Sequence, residues 1–180
     1  VKSGCDELSQ VTLIDSSTAI NIGSLSIQPV VVPHDAREPC QFVITTMVSG
    51  DKIDHPPREK RLGVLTDLGS YTPHVIDAYS SCDAMVLECN HDVTMLEAGS
   101  YPYSLKQRVL GDWGHLSNHQ AGNLLSHFDH EKIQWLVVAH ISQQNNTETL
   151  ALDALQNVFP YHERILVADQ DTGFDWLQIS

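Results

Sequence analysis

Short apolar runs rich in β-branched residues punctuate this chain and are separated by polar stretches carrying glycine or proline, a pattern of many strands joined by turns and helices. Residues 11–15 (VTLID), 18–23 (TAINIG), 25–33 (LSIQPVVVP) and 41–48 (QFVITTMV) read as successive strands, with Gly23-Ser24 as a hairpin turn. Residues 49–60 combine charges, a glycine and Pro56-Pro57, which cannot continue a hydrogen-bonded ladder, so a surface loop is predicted there. A strand resumes over 61–67 (RLGVLTD), and a glycine turn leads to a helix over 73–81.

The second half changes period. Residues 84–88 (AMVLE) and 133–139 (IQWLVVA) are nearly all apolar, as strands buried on both faces are. Between them, 104–110 and 119–128 favour helices; the latter places Ala121, Leu124, Leu125 and Phe128 on one stripe, with Ser117 or Asn118 as its N-cap. A further helix is predicted over 147–159, capped by Asn146 or Thr147, packed through Leu150, Leu155 and Val158, and stopped by Pro160. Residues 163–170 and 175–180 read as two closing strands around a turn at 171–173. The class is α/β, in one domain with neither repeats nor low-complexity tracts.

A length of 180 residues with 42% apolar content supports a single substantial core. The net charge of -13, from 10 Lys+Arg against 23 Asp+Glu, repels nucleic acid and anionic lipid in general. It still permits a phosphate-containing substrate whose charge is met locally by metal ions. Cys5, Cys40, Cys82 and Cys89 contain no CxxC pair, which favours a reduced, cytoplasmic protein over a disulfide scaffold or a zinc knuckle. There is no apolar run of membrane-spanning length, so no membrane partner is expected.

The candidate chemistry sits where apolar runs end. His34 and Asp35 follow VVVP, Asp67 follows GVLT, Glu88, His91 and Asp92 close VLECNHD, and His140 closes WLVVAH. Asp67 is the strongest single candidate, because a strand delivers its carboxylate into a glycine-containing turn where both oxygens can face divalent ions; an Asx turn is the bland alternative. His34 and His140 offer neutral imidazoles suited to such ions, though each alone could be a packing or turn residue. His115 or His91 could exchange a proton near neutral pH. Trp113 could line a pocket or simply anchor its loop. Neither GxSxG, a phosphate-loop motif nor GxGxxG occurs.

These residues, within VVVPHDAREP, GVLTDLGS, VLECNHD, MLEAGSYPYSLKQRVLGDWGHLSNHQA, VVAHISQQNNT and VADQDTGFDWLQI, resemble the C-terminal half of metallo-beta-lactamase-fold hydrolases, particularly the WalJ-like branch of nucleases and phosphodiesterases. The resemblance implies part of a four-layer αβ/βα sandwich, about the C-terminal two-thirds of a domain. It also implies two divalent metal ions, zinc or manganese. It implies His34, Asp67 and His140 as metal ligands, with Asp67 bridging and also catalytic, and His115 as the substrate-side catalytic histidine. Glu88 and His91, with Asp92 in the same segment, are implied in supporting or substrate contacts, while Asp35, read from its place beside His34, could orient a ring nitrogen or neutralise a cation.

The implied chemistry is phosphodiester or nucleic-acid hydrolysis by metal-bound hydroxide. Thioester or lactam hydrolysis on the same fold, and a metal-free structural or interaction domain, are the alternatives. The family's upstream HxHxDH motif is absent, so the expectation is an active full-length protein and a 180-residue chain that is inactive alone, with homo-oligomerisation open.

Overall fold

The computed structural model describes residues 13–48 and 58–180. These form one seven-stranded sheet whose strands lie side by side in chain order: β1 (Ile20–Ile22), β2 (Leu25–Val31), β3 (Cys40–Val48), β4 (Arg58–Leu65), β5 (Ala84–Glu88), β6 (Trp135–Ala139) and β7 (Ile165–Val167). The first four pair antiparallel and β4 to β7 pair parallel. The two modes follow from the connections. β1 and β2 are joined through Gly23-Ser24, with Ile22 opposite Leu25, and Gly23 takes the positive φ of 60° that a tight hairpin needs. The parallel strands are joined by helical crossovers.

Helices α1 (Pro73–Tyr79), α2 (Val93–Ala98), α3 (Tyr103–Leu110), α4 (Asn118–Leu125) and α5 (Glu148–Gln156) fill these crossovers. Their starts are written locally. Thr72 accepts from Val75 N, Thr147 accepts from Leu150 N, and Ser117 with Gln120 forms a reciprocal capping box. The core lies between one sheet face, carrying Leu65, Met85, Leu87, Leu136 and Val138, and the inner faces of α1, α4 and α5, carrying Val75, Tyr79, Leu124, Leu125 and Leu155. Every one of these side chains is fully buried.

The opposite face is covered differently. Leu62, Ala84, Val86 and Val137 border an apolar cavity of about 370 Å³ beneath the C-terminal tail, which lays Phe174 and Leu177 over it.

Several expectations need correction. Of the strand read over 11–15, Val11 and Thr12 lie outside the described residues, and Leu13–Asp15 are irregular because Asp15 turns the chain by accepting from Ser17 N. The loop read over 49–60 is outside the described residues up to 57, and Arg58–Lys60 belong to β4, paired with Met47 and its neighbours. The strand read over 163–170 shrinks to Ile165–Val167. A single 3₁₀ turn, His162–Arg164, precedes it, and Asp169 ends it by accepting from the amides of Asp171 and Thr172. Residues 175–180 form no strand, because side chains rather than a ladder hold their backbone: Trp135 Nε1 donates to Gln178 O, and Gln134 exchanges bonds with Ser180. Helix α2 was not anticipated.

Candidate metal centre

Because β2 runs parallel to β4, β5 and β6, all four strands end on the same edge of the sheet. Glu88 is the last residue of β5, and Asp67 and His140 lie just beyond the ends of β4 and β6. Asp67 and His140 both take positive φ, 53° and 55°, and they are the only non-glycine residues to do so among those described. That conformation is uncommon for any side chain with a Cβ, though aspartate and histidine tolerate it better than most, and such residues gather at functional sites. Here it turns both side chains toward one point: His140 Nε2 lies 3.7 Å from Asp67 Oδ1.

His34 arrives from the end of β2. The carbonyl of Pro33 accepts from Gly69 N at 2.9 Å, which couples the His34 loop to the Asp67 turn. His34 Nδ1 donates to Gly114 O at 2.9 Å, so its Nε2 keeps a free lone pair. His115 comes from the α3–α4 connection and is stacked edge to face between His34 and His140, with ring centroids 5.0 and 5.1 Å away.

Glu88 organises this array from below. It is completely buried. Its Oε1 accepts from His115 Nδ1 at 2.8 Å and stands 3.3 Å from His140 Nδ1, while Oε2 accepts from Leu68 N. Burial acts to raise its pKa, but the bonds from His115 and His140 outweigh burial and hold it below the ordinary carboxylate value. The same bond to Glu88, working against burial, raises His140 above the usual imidazole range. With its oxygens engaged, Glu88 serves to orient imidazoles and is poorly placed to bind an ion itself.

The donor set fits a divalent metal. Ligand atoms of His34, Asp67 and His115 lie within 4.8 Å of one another, as do those of Glu88, His115 and His140. The 3.7 Å between His140 Nε2 and Asp67 Oδ1 is within the span of two ligands about 2.0–2.2 Å from a common ion. Imidazole nitrogens beside a half-exposed carboxylate are a donor chemistry that divalent metals take. His34, Asp67, His115 and His140 therefore come together around one polar centre; the metal-free alternative expects them far apart or satisfied by internal hydrogen bonds, and it is weakened on the first count only.

The other sequence candidates fall nearby with distinct contacts. Asp35 pairs with the Arg108 guanidinium, which holds its carboxyl below the usual range, and its amide donates to Trp113 O. Asp92 caps α2 by accepting from Met95 N. His91 is buried beside the His115 loop, its carbonyl accepting from Asn118 N, and neither of its ring nitrogens has a partner among the described residues. Trp113 is 62% exposed and so does not act as a packed anchor.

Sequence reading missed Arg108, the Gly114 carbonyl, and a buried amide pair. Asn118 and Asn146 exchange two bonds of 2.8 Å, and Asn146 also donates to Cys89 O, tying the loops that carry His115, Glu88 and His140. Only the Asn-Asn-Thr run hinted at the last. Gly114 and Gly69 are required by close packing: a Cβ on Gly114 would meet the carbonyls of Arg108 and Val109, and one on Gly69 would meet the backbone of Gly111 and Gly114.

The architecture matches solved structures. The metallo-beta-lactamase fold protein YhfI from Bacillus subtilis aligns with TM-score 0.60 at 16% identity, over 91% of this chain and 54% of that one. The fold is metallo-beta-lactamase-like. A diphosphatase from the PhnP family aligns with TM-score 0.54 at 15% identity, over 92% and 47%. In sequence, the chain is 29% identical over 136 residues to exodeoxyribonuclease YycJ of Bacillus anthracis, covering 76% of this chain and 47% of the relative. It is 29% identical over 168 residues to exodeoxyribonuclease WalJ of Streptococcus pneumoniae, covering 93% and 56%. The chain spans about half the length of these curated relatives. No protein-family model matches it. No helix among the described residues is long and apolar enough to cross a membrane.

Proposed function

We propose that the protein is a metal-dependent phosphodiesterase of nuclease type, with His34, Asp67 and His140 as metal ligands and His115 as the proton-transferring residue. The observation that carries this reading is the Glu88–His115 bond at 2.8 Å, set beside the His34–Asp67–His115 cluster and the 3.7 Å approach of His140 Nε2 to Asp67 Oδ1. Likeness to two exodeoxyribonucleases supports phosphate chemistry over the thioester or lactam alternative.

Bound divalent ions would supply charge stabilisation at phosphoryl oxygens and activation of water. His34 Nε2 and His140 Nε2 hold their lone pairs toward the centre because Gly114 O and Glu88 anchor the opposite nitrogens. Asp67 offers both oxygens from its strained turn. His115, with Nδ1–H fixed on Glu88, presents Nε2 for donation to the departing oxygen, and the buried Glu88 carboxylate stabilises the imidazolium that makes this donation possible.

His34, Asp67 and His140 alone are too few to hold two ions firmly, so activity is assigned to the full-length protein, and the 180-residue chain by itself is expected to bind metal weakly. The test is turnover by the full-length protein, with and without chelator, of oligodeoxynucleotides, bis(p-nitrophenyl) phosphate and a thioester. Metal-dependent phosphodiester cleavage is the expected result. Thioester cleavage without phosphodiester cleavage would replace the reading by its alternative.

A further inference from the structure

A cavity of about 460 Å³ opens directly beside His115 and His140, and its chemistry differs from that of the metal centre. Apart from those two histidines, its lining among the described residues holds no charged side chain. Helix α3 contributes Leu105 and Val109, the α2–α3 connection contributes Tyr101, the loop after β6 contributes Gln143 and Gln144, and the turn after β7 contributes Gln170. The neighbouring amides are already committed: Asn145 Nδ2 to Ser142 Oγ and Asn90 Nδ2 to His140 O. The three glutamine amides make no side-chain hydrogen bond among the described residues. They are exposed at the cavity, with donors and acceptors unspent.

Resting on the phosphodiesterase reading, we propose that this cavity receives the nucleoside part of one nucleotide of the substrate, whose phosphate lies at Asp67, His115 and His140. A second phosphate would find no cation there. A nucleobase finds what it needs: amide groups pair with base edges, and an aromatic ring with apolar neighbours takes a base face. The volume lies at the small end of the ~300–1,000 Å³ range of small-molecule sites, so it accommodates one nucleoside and not a run of strand. The net charge of -13 makes general backbone attraction a poor source of affinity, which leaves the uncharged part of the nucleotide to supply it.

Calorimetry on the full-length protein with Mn²⁺ tests this, using deoxyadenosine monophosphate and deoxyribose 5-phosphate, which share the phosphate and differ in the base. The nucleotide should bind roughly ten-fold or more tightly, a difference of the size a stacked base supplies. That ratio should collapse toward one in Tyr101→Ala, survive in Tyr101→Phe, and shrink in the paired surface change Gln143→Ala with Gln144→Ala, which puts no core packing at risk.

Equal affinity for the two ligands in the unaltered protein, or a preference that Tyr101→Ala leaves intact, overturns the proposal. Turnover of bis(p-nitrophenyl) phosphate, which carries no nucleobase, reads the underlying assignment separately. A protein that cleaves it yet ignores the base keeps the phosphodiesterase reading and loses the nucleoside cavity.

Discussion

Glu88 Oε1 lies 2.8 Å from His115 Nδ1 and 3.3 Å from His140 Nδ1, so one buried carboxylate oxygen governs two imidazoles from different crossovers. Glu88→Gln keeps the shape and removes the charge. Metal affinity and turnover of the full-length protein should each fall roughly 10–100-fold, the usual cost of losing a carboxylate behind a liganding histidine. The same substitution should lower the His140 pKa, because the bond to Glu88 is the leading cause of its elevation. Metal titration and NMR titration of the metal-free protein check the two effects. An unmoved His140 titration would remove Glu88 from its positioning role.

His91 makes a separate contribution to acid stability. Burial pushes its pKa down to about 4, whereas an unfolded histidine titrates near 6.5. Between those values the unfolded state binds more protons than the folded one. Stability is therefore fully present above about pH 6.5 and is lost as pH falls toward 4, by on the order of 3 kcal/mol. His91→Leu should hold stability at neutral pH and flatten this part of the acid limb. Urea unfolding of both proteins at several pH values measures the difference, and parallel acid limbs would contradict it.

The Asn118–Asn146 pair sets the spacing between the loops bearing His115 and His140. Asn146 Nδ2 donates to both Asn118 Oδ1 and Cys89 O, and both asparagines are 5% exposed. Asn146→Asp strips both donors and buries an unpaired charge, a change expected to cost roughly 3–5 kcal/mol of stability. Denaturant midpoints at neutral pH would show it. A loss within experimental error would mean that the pair is not structural.

Gly114→Ala should damage fold and metal site together. The added Cβ collides with the carbonyls of Arg108 and Val109, and the displaced Gly114 carbonyl is the one that fixes His34. Overpacking of this kind costs roughly 1–3 kcal/mol. Thermal melting should shift downward, and metal affinity should drop even where the variant is fully folded. Gly23→Ala, at the distant hairpin with open space around it, should leave metal affinity untouched and serves as the comparison.

What could be read in advance was whatever neighbours in the chain determine. Residues 84–88 match β5 to the residue, because a nearly all-apolar run of that length is long enough for a buried strand and short for a helix. Ser117 and Thr147 cap α4 and α5 because capping needs only residues within three positions. Helix α2 escaped notice because its six residues bury only Leu96, too little to imprint a period. The tail 175–180 escaped because its apparent alternation is met by Trp135, Gln134 and Lys60, residues more than forty positions away.

The site divides along the same line. Which side chains stand at strand ends, His34, Asp67, Glu88 and His140, is legible locally, since each follows or closes an apolar run. That β2, β4, β5 and β6 end on one edge, that Asp67 and His140 turn through positive φ toward each other, and that Glu88 reaches a histidine twenty-seven residues on emerge from the folded arrangement alone. Strand order and buried pairing are collective: they depend on which faces can be covered at once and on which buried charge finds a partner, and no local stretch of sequence contains that information.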